Sequence, residues 1–174
     1  PPPSATGVSH PVILFMPYDT TILVGGTYLL AVTEAGGTGT CPIQWQTSPD
    51  KMMFTNIMGA HGTTYNVPTG MIGTIYYRAT YTCTGNGCNA ATSNTSTVTV
   101  VPDPVIQISP SDTTICVGGT VLLTATTAGG TGTCTIQWQS SPDNMTFPNI
   151  MGANGTTYNV PTGMIGTIYY RAPY

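Results

Sequence analysis

Residues 62–79 read GTTYNVPTGMIGTIYYRA, and residues 155–172 repeat this stretch without a single substitution. At the same offset of 93 residues, Val12–Tyr81 aligns with Val105–Tyr174 without a gap, and 54 of the 70 aligned positions are identical. This period exceeds the roughly 20 to 50 residues of a solenoid repeat and suits an independent small domain. The sequence therefore predicts two tandem domains, an arrangement that favours an extended or polymeric assembly over a catalytic one.

Short strands separated by turn residues make up each repeat, and no segment keeps the 3.6-residue period of a helix. Ile43–Gln46 alternates, so that Ile43 and Trp45 share one face. Thr74–Tyr81 is the strongest predicted strand. Four of its residues are expected on one face: Ile75, Tyr77, Ala79 and Tyr81. About seven strands at spacings of about 8 to 12 residues, with a tryptophan on the third, predict an all-β fold of antiparallel sandwiches.

Two tryptophans and two tyrosines are predicted core residues. Trp45 and Trp138 occupy the third strand of their repeats, where a sandwich usually places the residue that fills its core. The alternative for these tryptophans is an exposed platform on which sugars stack. Tyr77 and Tyr170 lie on the strongest strand of each repeat and are predicted to pack in the core or on the sheet face.

Charged residues make up only 5% of the chain, against about 25% in an average soluble protein. The basic residues are Lys51, Arg78 and Arg171, too few for a patch that binds phosphate, so nucleic acid and anionic membranes are not expected partners. No apolar run approaches the roughly 18 residues of a membrane span. The opening PPPSATG has neither an initiator Met nor the features of a signal peptide, and we interpret the chain as a mature or excised piece of an exported protein.

The sequence does not indicate an enzyme. Its six acidic residues are scattered, and no pair is placed for acid–base catalysis. No nucleophile elbow, zinc-protease motif or phosphate-binding loop occurs, and the acids and the two histidines do not cluster as metal ligands would. We therefore expect no catalytic residues, no cofactor and no metal site.

Several stretches resemble the Ig-like repeats of large secreted and surface proteins of Bacteroidetes. They are VGGTYLLAVTEAGGTGTCPIQWQTSPD, TTYNVP, GTIYYRATYTCTGNGC and TSNTSTVTV in the first repeat, and ICVGGTVLLTATTAGGTGTCTIQWQSSPD in the second. The resemblance covers nearly the whole chain and implies two Ig-like β-sandwich domains in an extracellular or cell-surface protein. It implies a spacer, stalk or adhesin arm whose partners are identical repeats in a homopolymer. The alternative is a carbohydrate- or host-binding accessory module of a large secreted protein.

The five cysteines fit disulfides in an oxidising compartment better than a metal site. In an Ig-like sandwich, Cys41 and Cys83 lie at the same end of neighbouring strands, and Cys88 competes with Cys83 as the partner. The pairing is open at this point, and either bridge would stabilise the first domain by roughly 2–4 kcal/mol. Cys116 and Cys134 have no obvious partner within the chain.

Two Asp-Thr-Thr motifs, at 19–21 and 112–114, resemble the sites that Bacteroidetes use for periplasmic O-glycosylation. The resemblance implies covalent glycans on Thr20 and Thr113. The alternative is structural, because Asp before Thr stabilises turns by hydrogen-bonding to its own backbone.

The repeat also predicts the domain boundaries. Residues 12–101 form domain 1, 102–104 a proline-rich linker, and 105–174 a second domain that lacks its last strand. Residues 1–11 align with the end of domain 1 and are interpreted as the last-strand equivalent of a preceding or neighbouring repeat. Two explanations remain for the incomplete second domain: a window on a longer tandem array, or strand complementation by residues 4–10 of another subunit.

Overall fold

The computed structural model describes residues 7–15, 18–85 and 90–174, and all regular elements within these ranges are β-strands. The chain divides into two compact units, Pro1–Val101 (unit 1) and Pro102–Tyr174 (unit 2). The boundary falls directly before the Pro102-Asp103-Pro104 segment that was predicted to link the domains.

Unit 1 has nine strands within its described residues, and they pair into two sheets. In chain order they are β1 (Val12–Phe15), β2 (Thr20–Leu23), β3 (Leu29–Ala35), β4 (Ile43–Ser48), β5 (Thr55–Asn56), β6 (Thr64–Asn66), β7 (Gly73–Tyr81), β8 (Ala91–Thr92) and β9 (Ser96–Val101). One sheet has the order β1-β3-β6 and the other β2-β9-β7-β4-β5, with β8 paired to β7. All of these elements are β-strands in two sheets, so the predicted all-β, Ig-like sandwich is confirmed.

Strand β9 lies in the interior of the larger sheet, between β2 and β7. It runs antiparallel to β7, with Gly73 opposite Val100, and parallel to β2, with Thr20 opposite Val98. The β2–β9 pair is the one parallel pair among the described strands, and it departs from the purely antiparallel sandwich predicted from the sequence. A parallel pair requires a long connection, and the whole of β3 to β8 lies between these two strands.

Unit 2 reproduces the smaller sheet of unit 1 more fully than the larger one. Its strands are β10 (Val105–Ser109), β11 (Val121–Ala128), β12 (Gln139–Ser141), β13 (Thr157–Val160) and β14 (Tyr169–Arg171). They form one sheet of order β10-β11-β13 and a two-stranded sheet of β12 and β14. Residues 102–174 are all described, and none of their strands is a counterpart of β9.

Each unit has its own apolar core around a fully buried tryptophan. Twelve buried residues form the core around Trp45, including Leu30, Tyr77 and Val98 of three different strands. Only five form the core around Trp138: Leu123, Ala125, Ile136, Trp138 and Ala172. Because less apolar surface is removed from water in unit 2, we expect it to be the less stable of the two.

Two side chains predicted on the buried face of their strands are less buried than expected. In β7, Tyr77, Ala79 and Tyr81 are buried, but Ile75 is more than one-third exposed. Pairing with β4 ends at Tyr76, so Ile75 has a neighbouring strand on one side only. Tyr170, the counterpart of Tyr77, packs against the core but is only half-buried, because unit 2 offers no strand in the position of β9.

Candidate functional site

The two tryptophans lie in the cores and not on the surface. Trp45 contacts the ring of Phe15 edge-on at a centroid distance of 5.5 Å, and the ring of Tyr65 at 5.9 Å. Trp138 stacks on Tyr158 at 5.8 Å. Since both indoles are fully buried, neither offers the exposed face that sugar stacking requires.

The predicted core tyrosines continue these aromatic clusters. Tyr77 lies 5.9 Å from Tyr65, and Tyr170 lies 5.7 Å from Tyr158, measured between ring centroids. Burial raises the pKa of the Tyr77 and Tyr170 hydroxyls above the ordinary value of 10.0, and the neighbouring tyrosine adds to each shift. Both hydroxyls are therefore neutral at physiological pH and suited to packing more than to acid–base chemistry.

The structure contains a disulfide between Cys41 and Cys83, one of the two pairings that the sequence left open. Cys88, the competing partner, lies outside the described residues. Gly37 adopts a φ of +80°, and a Cβ atom at this position would collide with Cys83 Sγ. Close packing of the backbone on the disulfide thus explains the glycine at position 37. In unit 2, Cys116 is an exposed free thiol and Cys134 a half-buried one.

The three basic side chains lie over aromatic rings. The Arg78 guanidinium is 4.0 Å from the centre of the Phe54 ring, Arg171 is 4.2 Å from that of Phe147, and the Lys51 ammonium is 5.7 Å from that of Tyr76. These distances are within the range of cation–π attraction. The positive charges are therefore spread over separate structural contacts and form no basic patch.

The two arginines are also held by the same hydrogen bonds in both units. Arg78 Nε donates to Gln46 Oε1 at 2.7 Å, and Gln46 Nε2 donates to Asn56 Oδ1 at 2.8 Å. Arg171, Gln139 and Asn149 repeat the arrangement at 2.6 and 2.7 Å. The alternation of Ile43–Gln46 implies that Gln46 lies on the face opposite Trp45, but the sequence alone does not indicate the Arg–Gln–Asn contacts, which join three separate segments.

The two candidate glycosylation sites differ in accessibility. Thr20 is half-buried in β2, and the carboxylate of Asp19 before it accepts a 2.8 Å hydrogen bond from the backbone N–H of Thr97. This bond holds the pKa of Asp19 below its ordinary value of 3.8. Asp19 therefore has a structural role at the start of β9. In unit 2, by contrast with the half-buried Thr20, Thr113 is exposed.

The two units differ in the pairing of their larger sheets. In unit 1, β9 covers the edges of β2 and β7. The counterparts of these edges in unit 2 are residues 113–116 and 166–170. Large apolar side chains stand exposed along them: Ile115 at 40%, Ile168 at 48% and Tyr169 at 41%. In unit 1 the residues that cover these positions are those of β9, which follow Tyr81 along the chain, and residues 102–174 extend as far as the equivalent of Tyr81.

A concave site adjoins the same unit at the end of the sheet. Its volume is about 600 Å³, and its lining includes Cys134, Ile136, Gln137 and Tyr174. In unit 1, the equivalent end is occupied by the segment after β7: Thr40 N–H donates to Thr84 Oγ1 at 3.1 Å, and Gly85 N–H donates to the Thr38 carbonyl oxygen at 2.9 Å. The half-buried Cys134 thiol thus borders a cavity where unit 1 has its disulfide.

The chain runs into both units through the same backbone contact. Gly37 N–H donates to the carbonyl oxygen of Ser9 at 2.9 Å, and Gly130 N–H donates to that of Pro102 at 3.0 Å. Ser9 and Pro102 are separated by the 93-residue period. The segment before β1 therefore occupies the same position in unit 1 as the segment directly after β9 occupies in unit 2. Residues 9 and 10 lie close to Gly36 of their own unit. Residues 4–6 of the predicted donor strand at 4–10 lie outside the described residues.

Other features of the described residues bear on function classes. No three His, Cys, Asp or Glu side chains in residues 7–15, 18–85 and 90–174 come together as a metal site would require. The same ranges hold no helix of the length and hydropathy needed to cross a membrane.

Comparisons with known proteins place the chain in a sequence family. A family model described as "Domain of unknown function (DUF8696)" matches residues 17–102 and again residues 106–174. No curated protein sequence is significantly similar.

Solved structures with a similar fold include the N-terminal four Ig domains of Dscam1 isoform 6.9. That match has a TM-score of 0.48 and 12% identity, and it covers 99% of this chain and 44% of the other. The PKD domain from human KIAA0319 is similar with a TM-score of 0.40 and 16% identity, over 57% of this chain and 93% of that domain. The chain spans less than half the length of the Dscam1 structure.

Proposed function

This chain belongs to the family described as Domain of unknown function (DUF8696), and we propose that it is a structural repeat of an extracellular bacterial filament, fibre or adhesin stalk. In this proposal, identical repeats are its partners and assemble end to end. An Ig-like fold is typical of structural or recognition modules. The role of an individual chain therefore has to be inferred from its own surface residues and not from its fold.

The observation that carries the proposal is the equivalence of the two units in sequence and in backbone contact. The units share 54 of 70 aligned residues, and the chain meets Gly37 and Gly130 by the same hydrogen bond. The segment before β1 thus contacts unit 1 in the same way as the segment after β9 contacts unit 2. A continuing series of 93-residue repeats requires this equivalence. Such a series projects or polymerises by repetition of one stable module.

The chemistry of the chain supports an extracellular location. The Cys41–Cys83 disulfide and the Ig-like fold fit an extracellular protein, since disulfides persist in oxidising compartments. We further propose that this location is the bacterial cell surface. The scarcity of charge leaves neutral polar faces that pack laterally or carry glycans on Thr20 or Thr113.

The alternative, a carbohydrate- or host-binding accessory module, depends on exposed aromatic platforms. Trp45 and Trp138 are fully buried and do not meet this requirement. Titration with soluble oligosaccharides is therefore expected to leave tryptophan fluorescence unchanged, and strong quenching would favour the alternative.

The proposal is tested on cells that produce the protein. Antibodies against the 174-residue chain are applied with gold labels to intact, unpermeabilised cells, and the protein sheared from these cells is sized after denaturation with and without reductant. We expect rows of label on extracellular filaments. The reduced, denatured polypeptide from these filaments should have either a mass far above 18.1 kDa, as one long array of repeats, or a mass of 18.1 kDa, as separate subunits. Label that appears only after permeabilisation, or a secreted 18.1 kDa monomer without filaments, would overturn the proposal.

A further inference from the structure

The two arginines of the chain stand at equivalent positions on the polar face of the larger sheet of each unit. Arg78 of β7 lies opposite Gln46 of β4, and Gln46 lies opposite Asn56 of β5. The three side chains form one row across neighbouring strands, on the face opposite Trp45. Unit 2 repeats this row with Arg171, Gln139 and Asn149. We call each row, together with the phenylalanine that its arginine contacts, a guanidinium site.

The arginine of each guanidinium site is held in place by its own unit. Arg78 Nε donates to Gln46 Oε1 at 2.7 Å, and the guanidinium lies 4.0 Å from the centre of the Phe54 ring. Gln46 is held in turn by its 2.8 Å hydrogen bond to Asn56 Oδ1. A mobile arginine loses rotamer entropy when a ligand immobilises it. These contacts reduce that loss, so the site is preorganised for binding.

The Nη1 and Nη2 groups of Arg78 are available to a ligand. The guanidinium engages Gln46 through Nε, and no carboxylate among the described residues pairs with it. The remaining N–H groups form a planar, positively charged fork that matches the two oxygens of a carboxylate. The side chain of Asn56 is exposed, and its amide nitrogen adds a neutral donor at the other end of the row. The site thus combines a carboxylate-binding fork with a donor for an uncharged oxygen.

Another repeat of this chain is a poor source of the carboxylate. A contact between identical repeats recurs with their period, so the acid should recur as the arginine does. Among the acids of the first repeat, Asp19 and Asp50 have acidic counterparts 93 residues later, whereas Glu34 has a threonine. In unit 1, Asp19 and Asp50 are both bonded to backbone N–H groups of their own unit. The carboxylate is therefore better supplied by a ligand from outside the chain.

The surroundings of Arg78 favour a ligand that is mostly neutral. Its neighbours along β7 on the same face are Tyr76 and Thr80, both uncharged. The chain has three basic residues and a net charge of −3, so it would repel a densely anionic polymer. Amide and hydroxyl groups suit sugar hydroxyls, which donate and accept hydrogen bonds. A saccharide with an occasional carboxylate meets both conditions.

We propose that each guanidinium site binds a saccharide that carries a carboxylate, such as a uronic acid residue within an otherwise neutral polysaccharide. The arginine donates two hydrogen bonds to the carboxylate, and the asparagine amide donates to a sugar hydroxyl. The glutamine and the phenylalanine are positioning residues that hold the arginine. This binding goes beyond the proposed structural role, since it gives each repeat a ligand of its own. It does not involve the buried tryptophans, so their fluorescence should stay unchanged.

The test is a calorimetric titration of the 174-residue chain at neutral pH and physiological salt. The probe is a xylo-oligosaccharide that carries a single glucuronic acid group. Its methyl ester is the matched control, because it keeps the shape of the sugar and removes the charge. An oligomer of glutamate is titrated in parallel, since it offers carboxylates without a sugar.

We expect two probe molecules to bind per chain, one at each guanidinium site. The ester should bind on the order of tenfold or more weakly, because it cannot form the charged bidentate pair. The double variant Arg78→Lys, Arg171→Lys keeps both charges but loses the planar fork, and it should weaken binding by a similar factor. Lys51→Gln removes a positive charge outside the site, where unit 2 has Asn144, and should leave the affinity unchanged.

A second pair of variants keeps the test independent of any effect of the arginines on folding. Asn56 and Asn149 are exposed, so their replacement by Asp should leave the units folded, as circular dichroism measures. The new negative charge at the end of each row should weaken binding of the acidic probe and not that of its ester. Equal affinities for the acid and the ester, or undiminished binding by the folded lysine or aspartate variants, would overturn the inference. Absence of probe binding, or tighter binding of the glutamate oligomer, would overturn it as well.

Failure of this inference is distinguishable from failure of the proposed function. If the probe does not bind while gold labelling still shows filaments of the chain, the saccharide site is rejected and the structural role stands. If the probe binds but no extracellular filament exists, the site stands and the filament is rejected.

Discussion

Trp45 Nε1 donates a 2.9 Å hydrogen bond to the carbonyl oxygen of Gly62, and this bond links the larger sheet of unit 1 to the segment that leads into β6. Trp138 makes the same bond to Gly155 at 2.8 Å. Each indole thus fills the core with its rings and satisfies a carbonyl oxygen with its N–H. The long match at residues 62–79 and 155–172 begins at these two glycines.

Removal of the indole N–H should destabilise each unit. Trp45→Phe leaves the Gly62 carbonyl without this donor and opens a cavity, so we expect the free energy of unfolding of unit 1 to fall by about 1–3 kcal/mol from the lost hydrogen bond alone. Trp45→Ala should cost about 3–5 kcal/mol. Guanidinium unfolding followed by far-UV circular dichroism measures both.

Trp138→Phe is the matched variant in unit 2. Because the core around Trp138 is smaller, its transition should come first, and the variant should shift that transition alone. A change below about 0.5 kcal/mol in Trp45→Phe would contradict the structural role of the bond.

The Cys41–Cys83 disulfide should stabilise unit 1 selectively. Its cysteines are 42 residues apart, and a loop of that length gives a stabilisation of roughly 4 kcal/mol in the chain-entropy model. The double variant Cys41→Ser, Cys83→Ser should therefore lower the unfolding midpoint of unit 1. Cys116→Ser serves as the control, since that thiol is exposed and free, and an equal loss of stability in both variants would contradict the assignment.

The stability of both units should fall in acid because of one turn that occurs twice. Asp50 Oδ1 accepts hydrogen bonds from the backbone N–H groups of Met52 and Met53 and from the Ser48 hydroxyl. These bonds, the one from Met52 foremost, hold the pKa of Asp50 below its ordinary value of 3.8. Asp143 has its pKa lowered in the same way, first by the backbone N–H of Met145.

A lowered folded-state pKa means that the unfolded chain binds the proton more readily. The stabilisation that the ionised Asp50 and Asp143 carboxylates give to the folded state is therefore present in full above pH 3.8. It is lost as the pH falls through their folded-state pKa values. Urea unfolding of the parent chain and of Asp50→Asn with Asp143→Asn, from pH 7 downward, should show a smaller acid-dependent loss in the variant. Glu34→Gln controls for removal of a charge, and it should not flatten the profile.

Much of the fold could be predicted from sequence because it depends on local pattern. The alternation of Ile43 and Trp45 correctly placed both side chains in the core, and the 93-residue period led to two units. The cysteine positions narrowed the bridge to two pairings, of which Cys41–Cys83 is present. These features follow from the periodicity and spacing of side chains, which can be recognised within short segments of the sequence.

Other features depend on contacts between distant segments. The parallel pairing of β2 with β9 joins residues that are 78 positions apart, as between Thr20 and Val98, and no local pattern specifies it. The exposure of Ile75 and the half-burial of Tyr170 follow from which strand lies beside them. The identical residues of Gly73–Ile75 and 166–168 differ in structure for the same reason, which shows that their sequence is insufficient without a partner strand.

The methionines provide a test of which surfaces remain accessible. Seven of the eight are exposed in the described residues, and Met58 and its counterpart Met151 are each 98% exposed. The seven are Met52, Met53, Met58, Met71, Met145, Met151 and Met164. None contributes to either core, so their oxidation to the polar sulfoxide should leave the folded units intact.

Mild peroxide treatment of the dispersed chain should therefore oxidise all seven at similar rates, as measured by peptide mass spectrometry, with unchanged far-UV circular dichroism and an unchanged unfolding midpoint. Oxidation that unfolds the chain would contradict the exposure of these side chains. The same treatment of assembled material adds a comparison, since a methionine covered by a neighbouring repeat reacts more slowly than it does in the dispersed chain. Equivalent positions such as Met58 and Met151 should then be protected together, because contacts between identical repeats recur with the 93-residue period.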